Sequence, residues 1–263
     1  MLPTIEIGAL RLNTYWLVYS LAIVAGGMLV FHRQVKAGIA PRQALNGLWL
    51  IIWAGVAGSV LFKGVALIAR DLALTGELAG GLNRGSAFLG ALLGGAGVAW
   101  LWFRHCGLAA GRAFDLIFVP VPLSQAIGRI GCLAAACCHG KVTTSWLGLY
   151  LPDHDGFWAV RYPTQLLSAA ADLLIFFLLL RLERAIGQRQ AWARRLAFAG
   201  ALTVAYFLLY AAKRFAVEFL RADTTLRLAG ALTLTHVFYA VIFLAALVMG
   251  LRGWAANWGK ALS

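Results

Sequence analysis

The segment Gly128-Arg129-Ile130-Gly131-Cys132-Leu133-Ala134-Ala135-Ala136-Cys137-Cys138-His139-Gly140 sets one arginine between two glycines, then three of the chain's four cysteines and a histidine. Apolar sequence flanks it on both sides. An arginine at membrane depth is costly, so it needs an anionic partner and marks a functional site by default. The flanking glycines Gly128 and Gly131 let a ligand or another backbone come close. A plainer role stays open for Arg129, as a helix-end residue or the partner of Asp115.

Composition agrees with membrane depth. Of 263 residues, 62% are hydrophobic and 13% charged, against roughly 25% charged in a soluble domain. The net charge of +13 could suggest a nucleic-acid partner. Its distribution excludes one, because the basic residues sit in short loops between apolar runs, the positive-inside pattern. No basic segment precedes a short apolar core at the start, so no cleavable signal peptide is expected.

Seven apolar segments have the ~17–25 residues needed to cross a bilayer: 14–31, 44–69, 86–103, 113–138, 163–180, 196–212 and 231–251. The expected fold is an all-α, polytopic membrane protein, one integral-membrane domain over 1–263. The fourth segment holds Pro120, Pro122 and Arg129 and is expected to be broken. Loops 32–43, 104–112 and 181–195 and the tail after 251 are net basic, whereas 1–13, 70–85 and 139–162 are balanced. That alternation puts the amino terminus outside and the carboxyl terminus in the cytoplasm.

The loop 213–230 breaks the pattern with four basic and two acidic residues. In it Arg214, Glu218 and Arg221 are spaced i, i+4, i+7 and would share a helix face. An interfacial helix whose arginines meet headgroups is one reading. The other is an anion site in which Arg214 or Arg221 grips a phosphate while Glu218 holds the guanidinium in place. Phosphatidylglycerol or a similar lipid is the obvious anion. Two further features share that side. Tyr15 opens the first segment, as an aromatic-belt residue or a ligand. Gln165 lies one turn inside the fifth, where a buried amide needs a partner. In the third, Gly90 and Gly94 permit close helix contact.

Cys132, Cys137 and Cys138 leave three readings: small apolar fillers, a disulfide, or a soft-metal site with His139. Adjacent cysteines on one helix do not aim easily at one ion, so fillers are favoured, and no metal or cofactor is expected. Asp153-His154-Asp155 reads as a solvated loop.

These residues together resemble the bacterial prolipoprotein diacylglyceryl transferases. The resemblance runs in order through Ile7-Gly8-Ala9-Leu10-Arg11-Leu12-Asn13-Thr14-Tyr15, Gly128-Arg129-Ile130-Gly131, Pro163-Thr164-Gln165-Leu166, Arg214-Phe215-Ala216-Val217-Glu218-Phe219-Leu220-Arg221 and Leu232-Thr233. It implies a seven-helix enzyme of the inner (cytoplasmic) membrane. Such an enzyme moves diacylglyceryl from phosphatidylglycerol to the lipobox cysteine thiol of a prolipoprotein and releases glycerol phosphate. It implies essential roles for Arg129 and Arg214, and lipid contacts from Tyr15, Gln165, Glu218, Arg221, Gly128 and Gly131. The departures are specific. Leu89 stands at or beside the family's histidine, Cys132 at an asparagine, Tyr162 at a histidine, Leu167-Ser168 at tyrosine-glutamate and His236 at a glutamine. With that histidine gone, His139 is the first candidate base for the acceptor thiol, ahead of His236 and Glu218. A different acceptor or lipid, or a non-catalytic lipid-binding or transport protein, is the alternative.

Overall fold

The computed structural model describes residues 4–7, 10–71, 76–222, 227–229 and 232–262; side chains are described for these except 5, 7, 10, 66, 68–71, 76–89, 227–229 and 258–262. In chain order, hairpin β1 (Thr4–Ile7) and β2 (Leu10–Asn13) leads into α1 (Thr14–Lys36), α2 (Pro41–Asp71), α3 (Gly76–His105), α4 (Ala110–Phe118) and α5 (Val121–Ala134). Hairpin β3 (Leu149–Pro152) and β4 (Trp158–Arg161) follows, then α6 (Thr164–Gly187), the single turn α7 (Ala191–Arg194) and α8 (Ala201–Glu218). Hairpin β5 (Arg227–Ala229) and β6 (Leu232–Thr233) precedes α9 (Leu234–Leu262). Each strand pair is antiparallel.

Among the described residues five stretches are long and apolar enough to span a bilayer: Thr14–Lys36, Pro41–Val65, Ala110–Ala134, Thr164–Gly187 and Leu234–Asn257. The sequence alone predicts seven. The two remaining segments are helical but differ from that expectation. The third lies within α3, which begins at Gly76 in what reads as loop; part of it, with Leu89, falls outside the described side chains. The sixth begins at Ala201, after Gly200 turns the chain at φ 98°. It continues through Lys213, Arg214 and Glu218, so this helix is too charged to read as a plain span. The expected break in the fourth segment falls between α4 and α5, where Pro120 precedes the first turn of α5.

The chain divides into two compact units, residues 30–116 and residues 1–29 with 117–263. In the smaller, α2 and α3 pack along each other at glycines. A Cβ on Gly58 would strike the Gly90 carbonyl, and one on Gly94 the Ala54 carbonyl, so the close contact expected at Gly90 and Gly94 is present. Arg33 donates to the carbonyls of Leu116 (3.2 Å) and Asp115 (3.3 Å).

In the larger unit α5 packs on α6, α6 on α8 and α8 on α9. Val119, Ile175, Leu179, Leu202 and Tyr206 form its apolar centre. The distribution of polarity is inverted relative to a soluble protein. Asp172, Gln165 and Glu218 are at most 3% exposed, while Leu174, Phe177 and Leu244 are nearly 60% exposed. Lipid is as apolar as leucine, so burial sorts for polarity here and the polar groups turn inward.

Candidate functional site

The polar interior of the larger unit begins at the last turns of α8. Arg214 is 7% exposed. Its Nη2 lies 3.5 Å from Glu218 Oε2, and its guanidinium sits over the Tyr239 ring of α9 at 5.1 Å. Its Nε and Nη1 are buried without a hydrogen-bond partner. A guanidinium held on one edge and unsatisfied on the others is suited to an incoming anion, since buried N–H groups left unpaired are costly. Arg221 Nε lies 4.0 Å from the same Glu218 oxygen. One carboxylate therefore spans both arginines, as the i, i+4, i+7 spacing anticipates for the first pair. Arg221 differs from that helical expectation. α8 stops at Glu218, and Arg221 pairs in extended form with Gly140.

That pairing ties the α8 end to the stretch after α5. Lys141 N donates to the Leu220 carbonyl (2.8 Å) and Ala222 N to that of His139 (3.1 Å). Gly140 is obligatory here, because a Cβ would overlap the Tyr162 carbonyl. Arg129 stands on α5 between two differently used glycines. Beside Gly131 a Cβ would be in ordinary contact with Val18 and the Tyr15 carbonyl of α1, whereas beside Gly128 there is open space. Gly131 thus seats α1, and no atom lies within 4 Å of where a Gly128 side chain would begin. Among the described residues of this unit no carboxylate lies within ion-pair distance of Arg129, and Asp172 of α6 is near enough to interact with it electrostatically. Arg129 also lies near enough to Arg221 and Tyr210 to interact electrostatically.

Tyr15 sits at the mouth of α1, where Asn13 Oδ1 accepts from its backbone N–H at 3.0 Å and caps the helix. Its ring stacks on Tyr19 (5.8 Å). Gln165 is 2% exposed, and its partner is the chain itself: Nε2 donates to the Cys137 carbonyl at 2.9 Å. Thr164 Oγ1 donates to the Cys138 carbonyl at 2.7 Å. The proline-threonine-glutamine turn therefore clamps the cysteine loop.

His139 has a buried Nδ1 with no partner. No hydrogen bond or ion pair among the described residues links it to Arg129 or Arg214; it interacts electrostatically with Asp153 of the hairpin. His236 is 1% exposed and lies against Phe215 and Phe219. Its Nδ1 accepts from Thr233 N–H at 3.1 Å, and its Nε2 is buried without a hydrogen-bond partner. Asp153 is a turn former. Its carboxylate accepts from the backbone N–H of Phe157 (2.9 Å) and Asp155 (3.1 Å) and pairs with Arg161 at 2.7 Å.

Sequence reading misses one feature. Asp172 of α6 and Lys213 of α8 form a buried ion pair at 2.6 Å, with Lys213 Nζ also over the Tyr210 ring at 4.4 Å. The available signal was an aspartate in mid-helix among Ala171, Leu173 and Leu174, which needs a cation.

Residues 3–252 match the family model described as prolipoprotein diacylglyceryl transferase. A phosphatidylglycerol–prolipoprotein diacylglyceryl transferase of Clostridium tetani is 28% identical over 83% of this chain and 84% of its own length. One from Clostridium perfringens is 28% identical over 83% and 82%, and one from Chlorobaculum tepidum 29% identical over 81% and 73%. With two arginines bridged by one buried glutamate, and a family match that spans nearly its whole length, the chain belongs to the prolipoprotein diacylglyceryl transferase family.

Proposed function

We propose that this protein transfers diacylglyceryl from phosphatidylglycerol to the lipobox cysteine thiol of a prolipoprotein, as the names of its relatives state for them. The observation that carries the reading is Arg214, buried, held by Glu218 and with two unsatisfied nitrogens. The acceptor thiolate attacks the glycerol carbon that bears the phosphate. A carbon–sulfur bond forms, the carbon–oxygen bond to phosphate breaks, and glycerol phosphate leaves with the electron pair. Charge gathers on the leaving phosphate, where Arg129 and Arg214 stabilise it. Glu218 sets the angle of Arg214 and Arg221. Gly128 leaves space for the glyceryl unit, and Gly131 seats Tyr15 beside it. Gln165 supports the loop behind Arg129. His139 takes the thiol proton at Nδ1.

In this reading the chain is one domain of seven spans in the inner membrane of a bacterium, with the amino terminus outside and the carboxyl terminus in the cytoplasm. The inverted polarity of the larger unit and the basic loops support it.

The test uses purified protein in vesicles of phosphatidylglycerol with a lipobox peptide, assayed for glycerol phosphate release and peptide lipidation. Arg129→Ala and Arg214→Ala should each lower turnover about 10²–10³-fold, the usual loss when a transition-state donor is removed. Wild-type protein that binds the lipid yet releases no glycerol phosphate would establish a lipid-binding relative instead.

A further inference from the structure

The loop after α5 does something that a helix running through Cys138 could not. α5 ends at Ala134, and Ala136 (φ 53°) and Cys138 (φ 59°) then take left-handed backbone. Such conformations are costly for a non-glycine residue and persist only where the surroundings hold them. They turn the chain back so that Cys137 N–H donates to the Cys132 carbonyl at 3.1 Å. Thr164 and Gln165 hold the carbonyls of Cys138 and Cys137 from α6. As a result the Sγ atoms of Cys132, Cys137 and Cys138 lie within 4.8 Å of one another. The objection that adjacent cysteines on a helix cannot share an ion does not apply, because neither Cys137 nor Cys138 is on a helix.

We propose that Cys132, Cys137 and Cys138 form a three-thiolate site for a thiophilic divalent cation such as zinc, whose open fourth position takes the acceptor thiol. The second half of this proposal rests on the transferase reading above. Zinc–sulfur bonds are about 2.3 Å, so ligands at tetrahedral angles are about 3.8 Å apart, and the three sulfurs need to close by no more than about 1 Å. Three protein ligands with one open position is the pattern of a catalytic zinc site, whereas structural sites are closed by four. Three thiolates on a divalent ion leave one net negative charge. Arg129 and Arg221 both lie near enough to Cys138 to interact with it electrostatically, and Arg129 likewise with Cys132. The cation would sit beside the phosphate-gripping arginines.

A thiol that coordinates a divalent cation is deprotonated outright. When the acceptor binds, its sulfur–hydrogen bond breaks, a metal–sulfur bond forms, and the proton passes to water. The bound thiolate then faces the glyceryl carbon held by the arginines.

Full-length protein in detergent, reduced and stripped with a chelator, should be titrated with Cd²⁺ while the cadmium–thiolate charge-transfer absorption is recorded. One Cd²⁺ per chain is expected, with a band that Cys132→Ser, Cys137→Ser and Cys138→Ser each weaken and Cys106→Ser leaves intact. A lipobox peptide should raise the band by about one third, from three thiolates to four, and its Cys→Ser analogue should not. If one variant elutes as aggregate, the other two carry the comparison. No band, a band indifferent to all three substitutions, one unchanged by the peptide, or a disulfide among the three cysteines in fresh protein would overturn the proposal. Lipidation measured on the same samples separates the two readings. An intact, peptide-responsive band without lipidation sinks only the transferase; undiminished lipidation by metal-free protein sinks only the metal site.

Discussion

At the scale of residues, the buried charges of the larger unit are organised as pairs with defined partners. Asp172 and Lys213 are 0% and 9% exposed and 2.6 Å apart. Removing one member of such a pair strands the other in a medium that cannot solvate it, at a cost of about 3–5 kcal/mol. Asp172→Asn should therefore lower the unfolding midpoint in detergent sharply. The double substitution Asp172→Leu with Lys213→Met should recover most of the loss, because two apolar groups of similar size leave no orphaned charge. A double variant no more stable than the single one would mean that the pair also holds Arg214, the next residue along α8, in place. Glu218 works differently. It is shared between Arg214 and Arg221 and leaves nitrogens of Arg214 unsatisfied. It positions charge without using it up.

At the scale of elements, two contacts make distinct predictions. The β3–β4 hairpin turns on Asp153, whose carboxyl is held below its ordinary range first by the Phe157 backbone N–H and then by Arg161. A depressed carboxylate stabilises the fold above its unfolded pKa, about 3.9, and that contribution is lost as pH falls through the lower folded value. Hydrogen exchange over residues 149–161, corrected for intrinsic rates, should be level from pH 7 to about 5 and rise below about 4. Asp153→Asn keeps an oxygen for the two backbone donors but carries no charge, so its profile should be flat across that window. The α2–α3 contact is steric. A side chain at Gly58 meets the Gly90 backbone, which cannot move aside as a flexible side chain would. Gly58→Ile should separate the two helices, and limited proteolysis of membranes should then cut within residues 30–116 faster than in wild type.

At the scale of the whole molecule, the charge of the loops and the depth of the helices must agree. The net positive charge of residues 213–230 falls from +2 to +1 once the residues of α8 are no longer counted as loop. Lys213, Arg214 and Glu218 belong to α8 and are buried, and charges inside the bundle do not count toward loop bias. A cytoplasmic reporter fused after residue 263 should be active and a periplasmic one silent, with the reverse after residue 160. The opposite pattern would invert the proposed topology and put the arginine site on the cytoplasmic face.

Apolar length, loop charge and the spacing of Arg214 and Glu218 depend only on local order along the chain. The membrane class, most of the helices and the arginine pair were therefore legible in the sequence itself. So was the family, whose motifs are runs of neighbouring residues. Where α5 ends was not legible, because Ala134 to Ala136 is a good helix sequence. Its termination is enforced from outside, by Thr164 and Gln165 taking the carbonyls of Cys138 and Cys137. The partner of Asp172 lies 41 residues away on another helix, and no periodicity encodes that pairing. The thiols and the shared glutamate meet partners within six positions along the chain, whereas the Gly140–Arg221 bridge and the bond from Gln165 to the Cys137 carbonyl join distant segments. Tertiary packing alone decided these distant contacts, because burial without water forces each polar group to find its partner across the bundle.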